Sequence, residues 1–194
     1  MPHNLQKINH EITFTASLGG RILTFHSTWG LFSPTRIDEG TRMLIESIQL
    51  PTAPFTALDL GCGYGAIGLA LAAASPQSRV HLVDKDFAAI DYAKKNARAN
   101  DICNCEIYLS NGFSHVPSDT LFDLVVSNLP AKVNNELYEI IFSDAKTHLT
   151  HSGRIYVVTI SGIREYVKRS FMRIFGNYEK VKQGKTYTVA CAVV

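Results

Sequence analysis

The chain has 194 residues and a mass of 21.4 kDa. Because domains usually span ~100–200 residues, this length predicts one compact domain. Hydrophobic residues make up 46% and charged residues 19%, which is typical of a globular protein and excludes a disordered chain or a coiled coil. The formal net charge of +2 excludes a strongly basic nucleic-acid-binding domain, although it leaves room for a local basic patch.

The four cysteines form no CxxC pair, so the sequence predicts no zinc site and no other metal site. The first residues, Met1–Asn4, are polar and no signal-peptide apolar region follows them. No apolar run reaches ~18 residues, so we expect no membrane span. A reduced, cytoplasmic protein that is a monomer or a homodimer is the simplest expectation.

The N-terminal stretch has the alternation of a β-hairpin. Residues 11–17 and 21–27 alternate apolar and polar side chains, and Gly19-Gly20 supplies the turn between them. We therefore expect an N-terminal β-hairpin extension over residues 1–34 and a single compact unit over residues 35–194.

Helical spacing of apolar residues predicts a first helix over residues 34–50. The chain then alternates between strand and helix patterns. The expected strands are 57–60, 80–83, 106–109, 122–127 and 154–160, followed by a final pair at 178–182 and 186–194. The expected helices between them are 66–74, 87–100, 136–149 and 163–175.

Alternating strands and helices require parallel strand pairing, because each crossover helix returns the chain to the same edge of the sheet. The last two strands are joined by a short turn around Gly184 and must instead be antiparallel. The sequence therefore predicts an α/β fold with a mostly parallel seven-stranded sheet, helices on both faces and a C-terminal antiparallel hairpin. In such sheets ligands bind where strands end, at the carboxyl edge.

The strongest local motif is a glycine loop between the first strand of this sheet and the next helix. Gly61, Gly63 and Gly65 alternate there, which allows a tight turn with exposed backbone amides. Residues 63–68 also spell the GxGxxG pattern of dinucleotide-binding loops. A carboxylate at Asp59, two residues before the first glycine, favours a cationic ligand over a pyrophosphate by the sign of the charge.

A second carboxylate follows the next strand. Asp84 stands 19 residues after Gly65, where an acidic side chain can accept hydrogen bonds from both hydroxyls of a ribose. The alternative is a solvated helix cap. Asp86 suits that role better, because it directly precedes the helix that begins at Phe87.

This arrangement resembles the class I S-adenosylmethionine-dependent methyltransferases over almost the whole chain. It resembles most the small-domain subgroup related to the catalytic halves of small-subunit ribosomal RNA guanine-N2 methyltransferases. The resemblance rests on residues 59–65, Asp84, residues 127–131, and the flanking segments 30–33, 38–41 and 110–114. It implies a Rossmann-like fold and S-adenosyl-L-methionine as the cofactor.

The resemblance also implies roles for individual residues. The methionine part of the cofactor is expected against Gly61, Cys62, Gly63 and Gly65. Asp59 is expected near the amino group of the cofactor and Asp84 at its ribose. The other implied cofactor residues are Phe32, Asp38, Lys85, Asn111, Gly112 and Asn128. Simple core packing remains an alternative for Phe32, and capping of the first helix remains one for Asp38.

The implied acceptor site is Asn128-Leu129-Pro130-Ala131, with Asn128 and Pro130 as its catalytic residues. Family enzymes that methylate planar amino groups usually have Asn/Asp-Pro-Pro-aromatic here, in which the Asn oxygen accepts an amine hydrogen and the aromatic ring stacks on the base. This sequence departs from the pattern at Leu129 and Ala131. Another aromatic residue could replace the missing platform, and the candidates are Phe32, Phe113 and Tyr138.

Residues 164–185 combine seven Lys and Arg residues with aromatic side chains, a pattern that can follow an RNA backbone. The alternative is the solvated face of an amphipathic helix.

The expected function is that of an S-adenosylmethionine-dependent N-methyltransferase acting on an RNA base amine, with the ribosomal RNA guanine-N2 type favoured. The alternatives are a small-molecule or protein-amide methyltransferase, a cofactor-binding module without catalysis, and a nicotinamide-dependent oxidoreductase.

Overall fold

The computed structural model describes residues 11–131 and 133–194. The polar Met1–Asn4 segment and the first ten residues of the expected N-terminal extension lie outside this range. In the described range the chain forms nine strands, five α-helices and one short 3-10 helix.

The nine strands form two separate sheets. Two of them, β1 (Ile12–Leu18) and β2 (Arg21–Ser27), pair with each other as the expected antiparallel hairpin. The other seven make one sheet in the order β5-β4-β3-β6-β7-β9-β8. Their bounds are β3 (Thr56–Leu60), β4 (Arg79–Asp84), β5 (Cys105–Leu109), β6 (Phe122–Asn128), β7 (Leu149–Ile160), β8 (Glu179–Gln183) and β9 (Tyr187–Val193).

Strands β3 to β7 pair in parallel, whereas β9 pairs antiparallel with both β7 and β8. The expected mostly parallel sheet with a C-terminal antiparallel hairpin is therefore confirmed. The strand order runs outward in both directions from the β3–β6 pair, which makes that pair the topological switch point of the sheet.

Apolar cores cover both faces of the large sheet. One core joins the hairpin to helices α1 (Glu39–Ser47), α2 (Ala66–Ala74) and α3 (Phe87–Ala99). The other joins helices α4 (Asn135–Thr147) and α5 (Arg164–Ile174) to the opposite face. The central strands are buried on both faces, which explains why they read as nearly continuous apolar runs.

Two asparagine side chains, one in α3 and one at its C-cap, fix the hairpin to the rest of the molecule. The amide of Asn100 exchanges two hydrogen bonds with the backbone of Thr24, at 2.8 and 2.7 Å. The amide of Asn96 does the same with the backbone of His26, at 2.7 and 3.0 Å. Each side-chain amide thus makes the pair of backbone hydrogen bonds that a neighbouring strand would otherwise make with β2. Polar groups at the edge of this strand that would be unpaired are satisfied in this way.

Two expected elements differ from the structure by more than two residues at one end or both. The first helix is shorter than residues 34–50, because Asp38 caps it and it runs only over Glu39–Ser47. The strand expected at 154–160 begins at Leu149, and the expected turn at 151–153 is a bulge inside it. Ser152 has a φ of +71° there, and a Cβ at Gly153 would lie 2.8 Å from the carbonyl oxygen of Thr150.

Candidate active site

The proposed site residues lie where β3, β4, β5 and β6 end, at the carboxyl edge of the sheet. β3 stands between β4 and β6. The glycine loop follows β3, while Asp84 ends β4 on one side and Asn128 ends β6 on the other. The fold therefore brings the two halves of the expected site together from segments about 40 to 70 residues apart in the sequence.

Backbone hydrogen bonds from its first residues attach the glycine loop to β4. The amides of Gly61 and Cys62 both donate to the carbonyl oxygen of Val83, each at 2.9 Å. Gly61, Gly63 and Gly65 have φ angles of +74°, +55° and +94°, a region that strongly favours glycine. A Cβ at Gly61 or Gly63 would point into open space, so a ligand can approach the backbone there.

Asp59 lies beneath this loop with its side chain fully buried. Its Oδ2 accepts a hydrogen bond from the amide of Gly68 at 2.7 Å. Its Oδ1 is buried and has no hydrogen-bond partner in the described part of the chain. Burial, with a further contribution from the negative charge of Asp84, raises the pKa of Asp59 to about 7. A buried carboxylate oxygen without a partner fits a cationic amino group arriving with a ligand.

Asp84 is joined to the glycine loop. Its Oδ2 accepts from the amide of Gly63 and its Oδ1 from the amide of Asp86, both at 2.9 Å. Asp86 caps α3 by accepting from Ala88 at 2.9 Å, as expected. The carboxylate of Asp84 is thus fixed in position at the end of β4 and is only partly buried. It retains lone pairs for ligand hydroxyls.

The remaining expected cofactor residues on this side are accessible. Lys85 and Asn111 are exposed, and Gly112 has a φ of +59° that shapes the turn after β5. The buried hydroxyl of Ser110 donates to the carbonyl oxygen of Gly112 at 2.7 Å. This turn lies beside Asp84, whose carbonyl oxygen accepts from the amide of Ser110 at 2.9 Å.

On the other side of the glycine loop, Asn128 contacts the N-terminal end of α1. Its Nδ2 donates to Thr41 Oγ1 at 2.9 Å and to Asp38 Oδ2 at 3.3 Å. Asp38 also caps α1, accepting from the amide of Thr41 at 3.1 Å, so the capping role considered from the sequence is present. The carboxylate therefore joins the helix start to the expected acceptor residue.

The segment after Asn128 is fixed by packing rather than by two prolines. Leu129 is buried in the core, and its amide donates to the carbonyl oxygen of Val158 at 3.0 Å. Pro130 is exposed, and its carbonyl oxygen accepts from the hydroxyl of Tyr138 at 2.6 Å. Leu129 thus anchors the turn at the position of the first proline in the Asn/Asp-Pro-Pro-aromatic pattern.

Two of the three aromatic candidates for a stacking platform are wrong. Tyr138 is buried against Phe142, and Phe113 is buried and stacked on His148. Both rings belong to the core and have no free face for a base. Phe32 is 65% exposed, so the core-packing alternative for this residue is also wrong.

Phe32 lies in the loop between β2 and α1, which is attached to the glycine loop. The hydroxyl of Tyr64, in the glycine loop, is within hydrogen-bond distance of the carbonyl oxygens of Ser33 and Arg36, at 3.2 and 3.3 Å. Trp29, in the same loop, is 66% exposed. The loop therefore presents two large aromatic side chains to solvent close to the expected site.

The basic segment 164–185 is largely the outer face of an amphipathic element. Val167 and Phe171 of α5 are buried in the core, as the alternative for this segment requires. Arg173 pairs with Glu139, and Lys182 lies 3.4 Å from Glu46. Lys168, Arg169 and Lys185 are exposed.

Within the described residues, no helix combines the length and the apolar character needed to cross a bilayer. The same part of the chain contains no group of three or more His, Cys, Asp or Glu side chains that could hold a metal ion.

Three residues of this region were not assigned to the site from the sequence. Thr41 lies in the quoted segment 38–41, but no role was assigned to it, because a buried threonine on a helix has no distinctive pattern. Tyr187 stands 149 residues after Asp38, to which its hydroxyl donates at 3.0 Å. Asn96 donates to the carbonyl oxygen of Tyr64 in the glycine loop at 2.9 Å.

Comparison with known proteins identifies the family. The model of the methyltransferase small domain family matches residues 22–191. The uncharacterized protein YbxB of Bacillus subtilis is 36% identical over 150 residues, which cover 77% of this chain and 75% of that protein. The ribosomal RNA small subunit methyltransferase C of Buchnera aphidicola is 32% identical over 164 residues, covering 82% of this chain and 49% of the enzyme.

A solved structure shows the same fold. The T. thermophilus 16S rRNA guanine-N2 methyltransferase, in complex with AdoMet and guanosine, superposes with a TM-score of 0.84 at 25% identity. The match covers 93% of this chain and 50% of that enzyme. This chain therefore spans about half the length of the named ribosomal RNA methyltransferases that it matches. The chain belongs to the methyltransferase small domain family, and it is an S-adenosylmethionine-dependent methyltransferase with the Rossmann-like fold expected from its sequence.

Proposed function

We propose that this methyltransferase acts on the exocyclic amino group of an RNA base, with guanine N2 of ribosomal RNA as the favoured acceptor. The observation that carries the proposal is the amide of Asn128. Both of its N–H bonds are directed to Thr41 and Asp38, so its Oδ1 is left to accept a hydrogen bond from an amine. The relative solved with guanosine supports the choice of base.

The cofactor side of the proposal follows from the glycine loop and the two carboxylates. The unpartnered Oδ1 of Asp59 would accept from the amino group of the cofactor, and Asp84 would hold the ribose hydroxyls. The open backbone at Gly61 and Gly63, together with the adjoining Cys62 and Gly65, would contact the methionine part. The residues proposed around the adenine and the pocket entrance are Lys85, Asn111, Gly112 and Phe32.

S-adenosylmethionine supplies a methyl group on a sulfonium sulfur, which an amine nitrogen can attack in line. The task of the protein is then to orient the amine. Asn128 Oδ1 would accept one amine hydrogen, which turns the nitrogen lone pair toward the methyl group without a strong base. Pro130 would restrict the turn that carries Asn128. Positioning of this kind can contribute up to ~7–11 kcal/mol to lowering a barrier.

We also propose a replacement for the aromatic residue that Ala131 lacks. Phe32 is exposed on a loop that Tyr64 ties to the glycine loop, so its ring is available to stack on the target base. The exposed cations of the basic segment would then contact phosphates. These cations include Lys168, Arg169, Lys180 and Lys185.

The experiment measures transfer of a tritiated methyl group from S-adenosylmethionine. Acceptors are RNA, protein and small-molecule fractions from cells that lack the corresponding gene, counted side by side. We expect label in the RNA fraction at guanine N2. The Asn128→Ala variant should lose at least 100-fold in rate, because the amine is no longer oriented. Its affinity for S-adenosylhomocysteine by calorimetry should stay within about threefold of the wild type.

Other outcomes refute the proposal. Label confined to the protein or small-molecule fraction would assign the alternative substrate classes. Cofactor binding without transfer to any fraction would indicate a module without catalysis. Transfer to RNA that is unchanged in Asn128→Ala would place the acceptor elsewhere in the fold.

A further inference from the structure

The amide of Asn128 is held by a chain of side chains that reaches β9. Asn128 Nδ2 contacts Asp38 Oδ2 at 3.3 Å and Thr41 Oγ1 at 2.9 Å. The other oxygen of Asp38, Oδ1, accepts from the hydroxyl of Tyr187 at 3.0 Å. One carboxylate thus connects the end of β6, the start of α1 and the start of β9.

The direction of these hydrogen bonds follows from the chemistry of the groups. An ionised carboxylate only accepts hydrogen bonds, so Asp38 requires a donor from each neighbour. The amide of Thr41 and the hydroxyl of Tyr187 are two such donors. If the amide of Asn128 were reversed, its Oδ1 would face Asp38 Oδ2 and the two oxygens would repel each other. The side-chain nitrogen of Asn128 must therefore face Asp38 and Thr41.

Close packing keeps Tyr187 in place. A Cβ at Gly40 would lie 2.8 Å from Cδ1 of Tyr187 and 3.0 Å from Oδ2 of Asp38. Only glycine therefore lets the ring lie on the first turn of α1. Burial raises the pKa of the Tyr187 hydroxyl, as does its hydrogen bond to Asp38, which keeps this group protonated as a donor.

We propose that Asp38, supported by Tyr187 and Thr41, is a positioning residue that fixes the orientation of the Asn128 amide for the acceptor amine. This inference rests on the proposed role of Asn128. It gives Asp38 a part in acceptor orientation, distinct from the cofactor contact expected from the sequence. It also gives a role to Tyr187, which no sequence motif identified.

The first test separates positioning from helix capping and from cofactor binding. Asp38→Ser keeps a good N-cap for α1 but is too short to reach both Asn128 and Tyr187. We expect the turnover rate with the labelled fraction to fall 10- to 100-fold, while the S-adenosylhomocysteine Kd changes less than threefold. Ser47→Ala, on the same helix, is the matched control and should leave both quantities unchanged. A parallel loss of rate and cofactor affinity in Asp38→Ser would make Asp38 a cofactor residue and overturn the inference.

The second test asks whether Asp38 acts through Asn128. Asn128→Asp alone should be nearly inactive, because it places two carboxylates in contact. The double variant Asp38→Asn with Asn128→Asp restores one amide and one carboxylate. Its turnover rate should be at least tenfold higher than that of Asn128→Asp alone. A double variant no more active than Asn128→Asp would contradict the coupling.

A third measurement does not depend on the acceptor. In 15N spectra, the side-chain amide protons of Asn128, assigned by their loss in Asn128→Ala, should exchange slowly with solvent in the wild type. They should exchange at least tenfold faster in Asp38→Ser, with a smaller effect in Tyr187→Phe. If the wild type methylates no fraction, the proposed function fails, yet slow exchange still supports the orientation. Equal exchange in the wild type and Asp38→Ser would overturn the inference even in an active enzyme.

Discussion

The buried carboxyl of Asp59 makes the stability of the ligand-free protein depend on pH in a predictable way. Burial raises its pKa from the ordinary value of 3.8 to about 7. Between these values the folded state binds more protons than the unfolded state, so the free energy of unfolding falls as pH rises. The contribution of the protonated carboxyl is fully present below the unfolded pKa and is lost above about pH 7.

The magnitude follows from the same values. A rise from 3.8 to about 7 corresponds to about 4 kcal/mol at about 1.4 kcal/mol for each pKa unit. Asp59→Asn has nearly the same shape as the protonated carboxyl and can still accept from the amide of Gly68. Because this amide cannot ionise, the variant does not lose this part of the free energy of unfolding as pH rises. We expect its stability advantage over the wild type to grow by up to about 1.4 kcal/mol per pH unit between about pH 5 and 6, and to level off above about pH 7.

Urea denaturation of the ligand-free proteins from pH 5 to pH 8 measures this difference. Asp119→Asn, at an exposed carboxyl, is the control and should follow the wild type at every pH. The same Asp59→Asn protein should bind S-adenosylhomocysteine at least tenfold more weakly, because the carboxylate partner of the amino group is gone. A stability difference that does not vary with pH, or a variant less stable than the wild type at pH 8, would refute the reasoning.

Two further predictions concern the neighbours of the glycine loop. Asp84→Ala should weaken S-adenosylhomocysteine binding at least tenfold by calorimetry, while Asp86→Ala, which removes only the cap of α3, should leave affinity within about threefold; equal effects would contradict the ribose assignment. Asn96→Ala should lower the free energy of unfolding by about 2–4 kcal/mol in urea, because it leaves part-buried backbone groups of His26 and the buried carbonyl group of Tyr64 unpaired. A loss below about 1 kcal/mol would show that water replaces the amide.

The sequence predicted the parts of this molecule that depend on local chemistry. Strands β3 and β6 are nearly continuous apolar runs because both faces of the sheet are covered there, and α2 has the bounds expected from its alanine-rich pattern. The alternating glycines at 61, 63 and 65 predict a tight turn, and all three have positive φ angles that few other residues adopt. The same reasoning missed the bulge at Ser152, because a turn-like sequence within a strand looks like a turn.

The sequence also placed Asp59, Asp84 and Asn128 at the ends of neighbouring strands, since parallel strands bring their carboxyl ends to one edge. The support of these strand ends, in contrast, follows only from how the chain packs. Asn128 meets Asp38 across 90 residues, and Asp38 meets Tyr187 across 149. Side-chain hydrogen bonds between such distant segments leave no periodicity in the sequence, because each partner is set by how α1 and β9 pack. The motif therefore identifies Asn128 as the residue proposed to meet an amine, whereas packing decides which way its amide points.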